Sequence, residues 1–346
     1  MGKGEIEWLW KKIEPLVKIS ESFENDNLKV NEGHHWSILK LLILAQWVWV
    51  YTTIIPKHVD QCYYIDLLAG SGAMRVKETN DIVIGSPLIA HLFAREDFDK
   101  ILLVEIDKTT FAALQARLKR IIPAYEFKSK FELINADCND IVSNIVSKVE
   151  NTISAEKKKV HCLTFVDNWG LDTAWKTIEA LMQIYTDLII LFPTVGIRRV
   201  FSIAKDSQGS QAFSSSLVRF FGDYSWKEAE DVEDLLELYK SKLSDKFKEK
   251  RRRDLYVSEI RVGDKQFYYD LILVCKKGPY VDAWEYIKKR LNWTDPETVN
   301  IAMNTLKRRD QVMLEIFAGL DYKISEIEKK KPRKAGKRTH TLEDFT

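Results

Sequence analysis

The sequence has few cysteines, glycines and prolines, and its many charged residues nearly cancel. Its 346 residues include four cysteines, 14 glycines and 8 prolines, and the formal net charge is +2. So few glycines and prolines argue against long disordered tracts. Because the net charge is small, any attraction to nucleic acid must come from local patches. At 346 residues, the chain is long enough for two domains, or for one α/β core with additions. Its 45% of hydrophobic residues is sufficient for a large core.

The cysteines are too widely separated to form a metal-binding or redox motif. None is in Cys-x-x-Cys spacing, and each of them lies in or beside an apolar, strand-like run: Cys62, Cys138, Cys162 and Cys275. This pattern predicts reduced cysteines in the core and neither a disulfide framework nor a metal site.

The chain has little that indicates secretion or a membrane. Its first ten residues include two glutamates and no continuous apolar segment, which argues against a secretory signal and predicts a cytoplasmic protein. Residues 41–55 are nearly all apolar, but this run is shorter than the ~20 residues that a bilayer span needs. We therefore expect a buried helix there and no association with a membrane.

A glycine turn is the feature around which the rest of the chain is organised. An apolar strand-like run with Asp66 near its end breaks into Ala69-Gly70-Ser71-Gly72. Gly70 permits backbone angles that are closed to other residues, and Gly72 leaves no side chain between the backbone and a ligand. The next helix start, with Ser86 as the expected cap, comes too late for its N-terminus to hold a phosphate. The turn therefore favours an adenosine-type cofactor over a phosphate cradle.

The stretch that separates the turn from this helix, residues 73–84, is predicted to be irregular. It contains Arg75 and Lys77, and it could act as a lid in which one of these two side chains reaches a ligand carboxylate.

Strands and helices then alternate, and acids follow the strands. The predicted strands are residues 63–68, 100–107, 131–136, 161–166 and 187–192. Their ends carry Asp66, Glu105, Asp137 and Asp167. In an open α/β sheet the ligand site lies beyond the carboxyl ends of the strands, so these acids are expected at one rim. Asp137 could equally cap the helix that follows it.

The last part of the pattern is a hairpin, residues 255–262 and 266–276 around an Asp/Gly turn. Two basic runs, 246–253 and 329–338, are either solvated faces or contacts for nucleic-acid phosphates. The predicted organisation is a helical N-terminal extension (1–58), an α/β domain (59–278) with a helical insertion at about 197–254, C-terminal helices (279–328) and a basic tail (329–346).

These features resemble a known fold and a known family. The alternating strands and the hairpin resemble the Rossmann-like, seven-stranded sheet of class I S-adenosylmethionine-dependent methyltransferases. A second set of motifs lies within residues 34–290: Leu39-Lys40, Asp66-Leu67-Leu68-Ala69-Gly70-Ser71-Gly72, Gly85-Ser86-Pro87-Leu88, Val104-Glu105, and Phe165-Val166-Asp167-Asn168-Trp169-Gly170-Leu171 with Trp175 and Ile178-Glu179. In combination, these motifs resemble the three-Cys-motif partner protein family.

The resemblance implies an S-adenosylmethionine-dependent methyltransferase and assigns roles to the residues at the strand ends. The methionine end of the cofactor would lie at Asp66, Ala69, Gly70, Ser71 and Gly72, the ribose at Glu105 with Ile106 beside it, and the adenine at Asp137 and Cys138.

The methyl acceptor would lie at Asp167, Asn168, Trp169 and Gly170, where Trp169 offers a stacking face. Asn168 departs from the usual Asp-Pro-aromatic-Gly pattern of the family. Direct methyl transfer depends mainly on alignment, and an amino group of a nucleic acid is the expected acceptor. A cysteine-motif protein is the partner that the resemblance implies.

Two other interpretations stay open at this point. A nicotinamide dehydrogenase needs a third glycine near the position of Arg75 and an acid about 20 residues past the turn, whereas Glu105 comes later. A catalytically silent protein that keeps the fold, and serves as a nucleic-acid-binding or assembly partner, fits the same motifs.

Overall fold

A computed structural model describes residues 3–206, 211–251, 255–264, 266–295, 297, 298 and 300. The predicted basic tail lies outside the described residues, as does most of the last predicted helix, 297–317.

Helices and strands alternate along most of the chain. The N-terminal part contains α1 (Lys3–Ser20), β1 (Asn31–Gly33), α2 (His35–Ile54), β2 (Gln61–Asp66), β3 (Ala73–Val76), β4 (Ile82–Ile84) and α3 (Ser86–Leu92). The central part contains β5 (Lys100–Val104), α4 (Lys108–Ile121), α5 (Ala124–Lys130), β6 (Phe131–Ile134), α6 (Cys138–Ala155), β7 (Val160–Val166), α7 (Trp175–Leu181) and β8 (Thr186–Phe192). The last part contains α8 (Thr194–Lys205), α9 (Gln211–Phe221), α10 (Val232–Arg251), β9 (Leu255–Gly263), β10 (Tyr268–Lys276) and α11 (Val281–Arg290).

The main sheet has seven strands in the order β6-β5-β2-β7-β8-β10-β9. The first five strands in this order, β6-β5-β2-β7-β8, pair in parallel with their neighbours. β10 is antiparallel to both β8 and β9. Numbered along the chain, this is the order 3-2-1-4-5-7-6, and it differs from the dinucleotide-binding order 3-2-1-4-5-6 by the inserted antiparallel strand. The predicted Rossmann-like, seven-stranded α/β sheet with a terminal hairpin is confirmed.

Burial explains why these strands were recognisable as apolar runs. Every residue of β7 and of β8 is buried, since helices cover both faces of the sheet. The four cysteines are buried in this core and free of disulfides, as predicted.

The strand register brings the hairpin to the same rim as the acids. Asp270, near the start of β10, lies opposite Phe192 at the end of β8. Because β10 runs antiparallel, the turn that precedes it lies at the carboxyl ends of the parallel strands. Asp66, at the end of β2, pairs with Phe165 of β7, so Asp167 follows at the same edge.

Residues 73–84 are not irregular, and that prediction is wrong. β3 and β4 pair antiparallel, and β1 adds a parallel partner, which gives a separate three-stranded sheet. The side chains of Arg75 and Lys77 have partners within this sheet, since Arg75 donates to Asn80 and Lys77 pairs with Glu32. The segment is therefore a packed hairpin, which needs β1 from a distant part of the chain.

The apolar helix α2 is packed inside the protein. It is long and apolar enough to cross a membrane, but 78% of its most apolar stretch is buried in the fold. Trp47 packs edge-on against Trp284 of α11, with ring centroids 5.5 Å apart. The predicted buried helix is confirmed.

The start of α3 differs from the prediction. Gly85 is the N-cap and makes no side-chain cap, while Ser86 lies inside the helix and is buried. The Ser86 side chain instead hydrogen-bonds the carboxyl group of Asp66. Ser86 therefore contributes to the first strand end and not to a cap.

Candidate cofactor and acceptor site

The glycine turn takes the backbone angles that its residues predict. Gly70 has φ +63° and Gly72 has φ +76°, both in the left-handed region that favours glycine. A Cβ on Gly72 would come within 3.1 Å of Leu114 Cδ1. The turn therefore has little room for larger residues.

Glu105 joins the ends of two neighbouring strands. Its Oε2 accepts the Gly70 N–H at 3.0 Å, and its Oε1 accepts the Asp107 N–H at 2.8 Å. The predicted ribose carboxylate thus lies against the glycine turn. Ile106 follows it with 60% of its surface exposed, an apolar side chain at the open rim.

The third strand end is partly used by its own helix. Asp137 is the N-cap of α6, and its Oδ1 accepts the Asn139 N–H at 2.8 Å. This is the alternative role that the sequence allowed. Cys138 is buried, and burial raises the pKa of its thiol to about 11. Its side chain is therefore a protonated core group.

Asp66 lies beneath the rim and supports the turn from inside. It is fully buried, accepts the Leu68 N–H at 3.2 Å, and receives the Tyr64 hydroxyl at 3.3 Å. Burial raises the pKa of this carboxyl to about 7, although the Ser86 hydrogen bond opposes the shift. Asp66 thus holds the turn through a carboxyl group that is partly protonated near neutral pH.

Two residues that the sequence did not single out fix the turn from the opposite side. Asn31 Oδ1 accepts the Ser71 N–H at 2.8 Å. Arg117, fully buried, donates to the Ser71 carbonyl at 2.8 Å and to the Asp26 carboxylate at 2.9 Å. Arg117 follows Leu114 by three positions on the apolar face of α4. A charge on such a face is the signal that identifies a buried anchor.

Asp167 is paired with a lysine from the N-terminal part of the chain. Lys40 Nζ lies 2.5 Å from Asp167 Oδ2, and the two side chains are only 13% and 22% exposed. α2 therefore contributes directly to the predicted acceptor position.

The other residues of this loop have two roles: some hold the loop in place, and others are exposed at its surface. Asn168 is buried, donates from Nδ2 to the Leu191 carbonyl at 3.0 Å, and accepts the Thr173 N–H at 3.2 Å. Trp169 is 87% exposed. Gly170 has φ +87° with nothing within 4 Å of an added Cβ. The loop therefore presents Asp167 and Trp169, while the Asn168 amide holds it in place.

No group of three or more His, Cys, Asp or Glu side chains in the described part of the chain is arranged to hold a metal ion.

The strand order and the glycine turn at its rim define a Rossmann-like α/β protein with the class I methyltransferase fold. Three solved structures illustrate what the chain is similar to. Protein LPL1258 from Legionella pneumophila is 13% identical with a TM-score of 0.40, and the match covers 73% of this chain and 92% of that one. Trm1 from Pyrococcus horikoshii, solved with S-adenosyl-L-methionine, is 10% identical with a TM-score of 0.38, over 70% of this chain and 57% of that one.

The methyltransferase domain of bacterial CtHen1-C is 10% identical with a TM-score of 0.33, over 68% of this chain and 100% of that one. No protein-family model matches the sequence, and no curated protein is significantly similar to it. The fold assignment therefore rests on the strand order, and the resemblance to the three-Cys-motif partner family stays a prediction.

Proposed function

We propose that the protein is an S-adenosylmethionine-dependent methyltransferase that acts on an N–H acceptor. The observation that carries the proposal is the position of Glu105, which bridges Gly70 and Asp107 at the ends of two adjacent strands. A carboxylate has about four acceptor sites. Because the backbone takes one bond at each oxygen, Glu105 keeps capacity for the two hydroxyls of a ribose.

The neighbouring residues fit the rest of such a cofactor. Gly70 and Gly72 present backbone without side chains, and exposed Ile106 offers an apolar surface for a flat adenine. Asp137 retains its second carboxyl oxygen for an amino group. S-adenosylmethionine, when bound, supplies an activated methyl group, so the protein mainly has to align the acceptor.

The acceptor side is supplied by Asp167 and Trp169. Lys40 holds one oxygen of Asp167, which orients the other to accept an N–H from the acceptor. Trp169, being exposed, offers a face on which a planar acceptor stacks. Asn168 acts by fixing the loop.

Calorimetric titration with S-adenosylmethionine tests the cofactor site. We expect the wild type to bind and Glu105→Ala to bind at least about tenfold more weakly, the loss expected for one or more hydrogen bonds to a charged group. Glu132→Ala is the matched control, because Glu132 lies on β6 and pairs with Lys148. No binding by the wild type, or equal binding by both variants, contradicts the proposal.

Transfer of a labelled methyl group to RNA, DNA or protein tests the chemistry. We expect transfer by the wild type and none above background by Asp167→Ala. Cofactor binding without transfer to any of the three would favour the silent partner interpretation.

A further inference from the structure

Two aromatic side chains at the rim that carries Asp167 are exposed to solvent, and two half-buried rings pack beside one of them. Trp169 is 87% exposed and Phe267, in the turn of the β9–β10 hairpin, is 56% exposed. The Trp36 ring lies parallel to Phe267, with 6.2 Å between centroids and 2° between planes. His34 stacks on Trp36 at 4.4 Å. Single exposed aromatics need no explanation, but a group of them at one rim marks an interaction surface.

The rings of Trp36 and Phe267 lie close in the chain to residues that bond toward Asp167. Tyr269, two positions after Phe267, donates its hydroxyl to the Trp36 carbonyl at 2.9 Å. Lys40 lies one helical turn after Trp36 in α2 and pairs with Asp167, which precedes Trp169 by two positions. The aromatic side chains and the predicted acceptor residue therefore lie at the same rim, beyond the carboxyl ends of the parallel strands.

Uncompensated positive charge lies at the same edge. α8 begins directly after β8, so its first turns are at the rim, and Arg198 and Arg199 there are exposed. Arg198 stacks over the Tyr268 ring at 5.3 Å. Within the described residues, neither arginine has an acidic partner. Arg261, on the same tyrosine ring, is by contrast held by Asp270 and Glu233.

The basic run 246–253 does not combine these properties. Its first lysine, Lys246, pairs with Glu179 at 3.5 Å and with Glu249 at 3.4 Å, which neutralises part of the charge. Its aromatic residue, Phe247, is buried. Among the side chains of this run that the structure describes, residues 246–249, no exposed ring lies beside the cations.

We propose that the rim face formed by Trp169, Phe267, Arg198 and Arg199 binds single-stranded nucleic acid. The bases of the nucleic acid stack on the two aromatic rings, and its phosphates contact the two arginines. The inference rests on the proposed function, in which Asp167 binds the methyl acceptor. It specifies that this acceptor is a single-stranded nucleic acid. Exposed rings beside uncompensated cations are the combination that single-strand binders use, since every base has a stacking face. In a duplex those faces are covered, so a single strand is the favoured ligand.

Fluorescence anisotropy without cofactor measures this binding directly. The probes are a labelled 20-nucleotide mixed-sequence RNA, the same sequence as single-stranded DNA, and the DNA duplex. We expect the wild type to bind a single strand more tightly than the duplex, and comparison of the first two probes identifies the sugar. Trp169→Ala combined with Phe267→Ser should weaken binding at least about fivefold, near the lower end for one stacked base.

The arginines are tested through salt. Arg198→Gln with Arg199→Gln should weaken binding, and should make the plot of log affinity against log salt shallower by about 0.7 for each phosphate that the variant no longer neutralises. The matched control is Tyr125→Ala with Lys128→Gln, which removes one exposed ring and one cation from α5 at the opposite edge of the sheet. It should bind like the wild type.

Three results would overturn the inference: duplex preferred by the wild type, rim variants that bind normally, or a control that binds as weakly as they do. Lys246→Gln with Lys248→Gln distinguishes the basic run, because a loss confined to that variant assigns binding to α10. Titration of the rim variants with S-adenosylmethionine separates this inference from the proposed function. If the wild type fails to bind the cofactor, the proposed function fails and the anisotropy result stands by itself.

Discussion

Lys40 of α2 and Asp167 beyond β7 form an ion pair of 2.5 Å that is largely shielded from water. The pair joins the N-terminal part of the chain to the predicted acceptor site. Because both charges have lost most of their hydration, each depends on the other. The ion pair therefore has a stabilising and a positioning role that different variants can separate.

Lys40→Met should lower the free energy of unfolding by about 1–3 kcal/mol, because Asp167 then keeps a poorly hydrated charge without its partner. The double variant Lys40→Met/Asp167→Asn should recover part of this loss in urea unfolding, since no lone charge remains. Methyl transfer should fall in both variants while S-adenosylmethionine binding is retained. If the loss of stability in the double variant equals the sum of the losses in Lys40→Met and Asp167→Asn alone, the two side chains do not interact.

Arg117→Met should cost more, about 3–5 kcal/mol, because it leaves the buried Asp26 carboxylate with only the more distant, exposed Arg120 as a charged partner. Arg117→Lys should not restore stability, since a lysine cannot reproduce the fork that reaches Asp26 and the Ser71 carbonyl together. Arg120→Met is the control, because Arg120 is exposed and lies 3.8 Å from the same carboxylate. Chemical unfolding of the three variants gives the comparison, and an equal cost for Arg117→Met and Arg120→Met would contradict it.

The parts of the structure that the sequence predicted well are those that depend on neighbours in the chain. The buried strands are short apolar runs, and Glu105 follows one of them directly. The Lys40–Asp167 pair instead joins positions 127 apart, and the Arg117–Asp26 pair joins positions 91 apart. No pattern of neighbouring residues in the sequence predicts such long-range contacts. β1, β3 and β4 were missed for the same reason, since β3 needs a parallel partner from before α2.

The Trp169 position illustrates a different limit. In a sequence, an aromatic residue after a strand fits a core and a binding face equally well. Only the fold shows that Asn168 turns inward to the Leu191 carbonyl while Trp169 is left in solvent.

A buried acid in β8 should make stability depend on pH. Asp187 is fully buried, and burial raises the pKa of its carboxyl from 3.8 to about 8, although the Tyr280 hydroxyl at 3.3 Å opposes the shift. The folded protein therefore binds more protons than the unfolded chain between these values, and the free energy of unfolding falls as the pH rises through this window. Asp187→Asn should flatten that fall in unfolding measurements across the same window.

Asp97→Asn serves as the control for this pH dependence, because Asp97 is exposed and pairs with Lys130 at the surface. It should keep the wild-type slope. His161, whose Nε2 lies 3.9 Å from Asp187, is the nearby titratable group to replace next if the slope survives in Asp187→Asn. A slope unchanged in Asp187→Asn would show that Asp187 is not its source.

Gly72→Ala and Gly170→Ala should separate backbone strain from cofactor binding. Both glycines have positive φ, so alanine at either position should cost roughly 1–2 kcal/mol of stability. Only the Gly72 Cβ meets a neighbour, Leu114 at 3.1 Å, and only Gly72 lies in the turn that contacts Glu105. We therefore expect Gly72→Ala to weaken S-adenosylmethionine binding in calorimetry and Gly170→Ala to leave it unchanged. Equal loss of binding in both variants would mean that the effect comes from general destabilisation, and it would remove the glycine turn from the cofactor site.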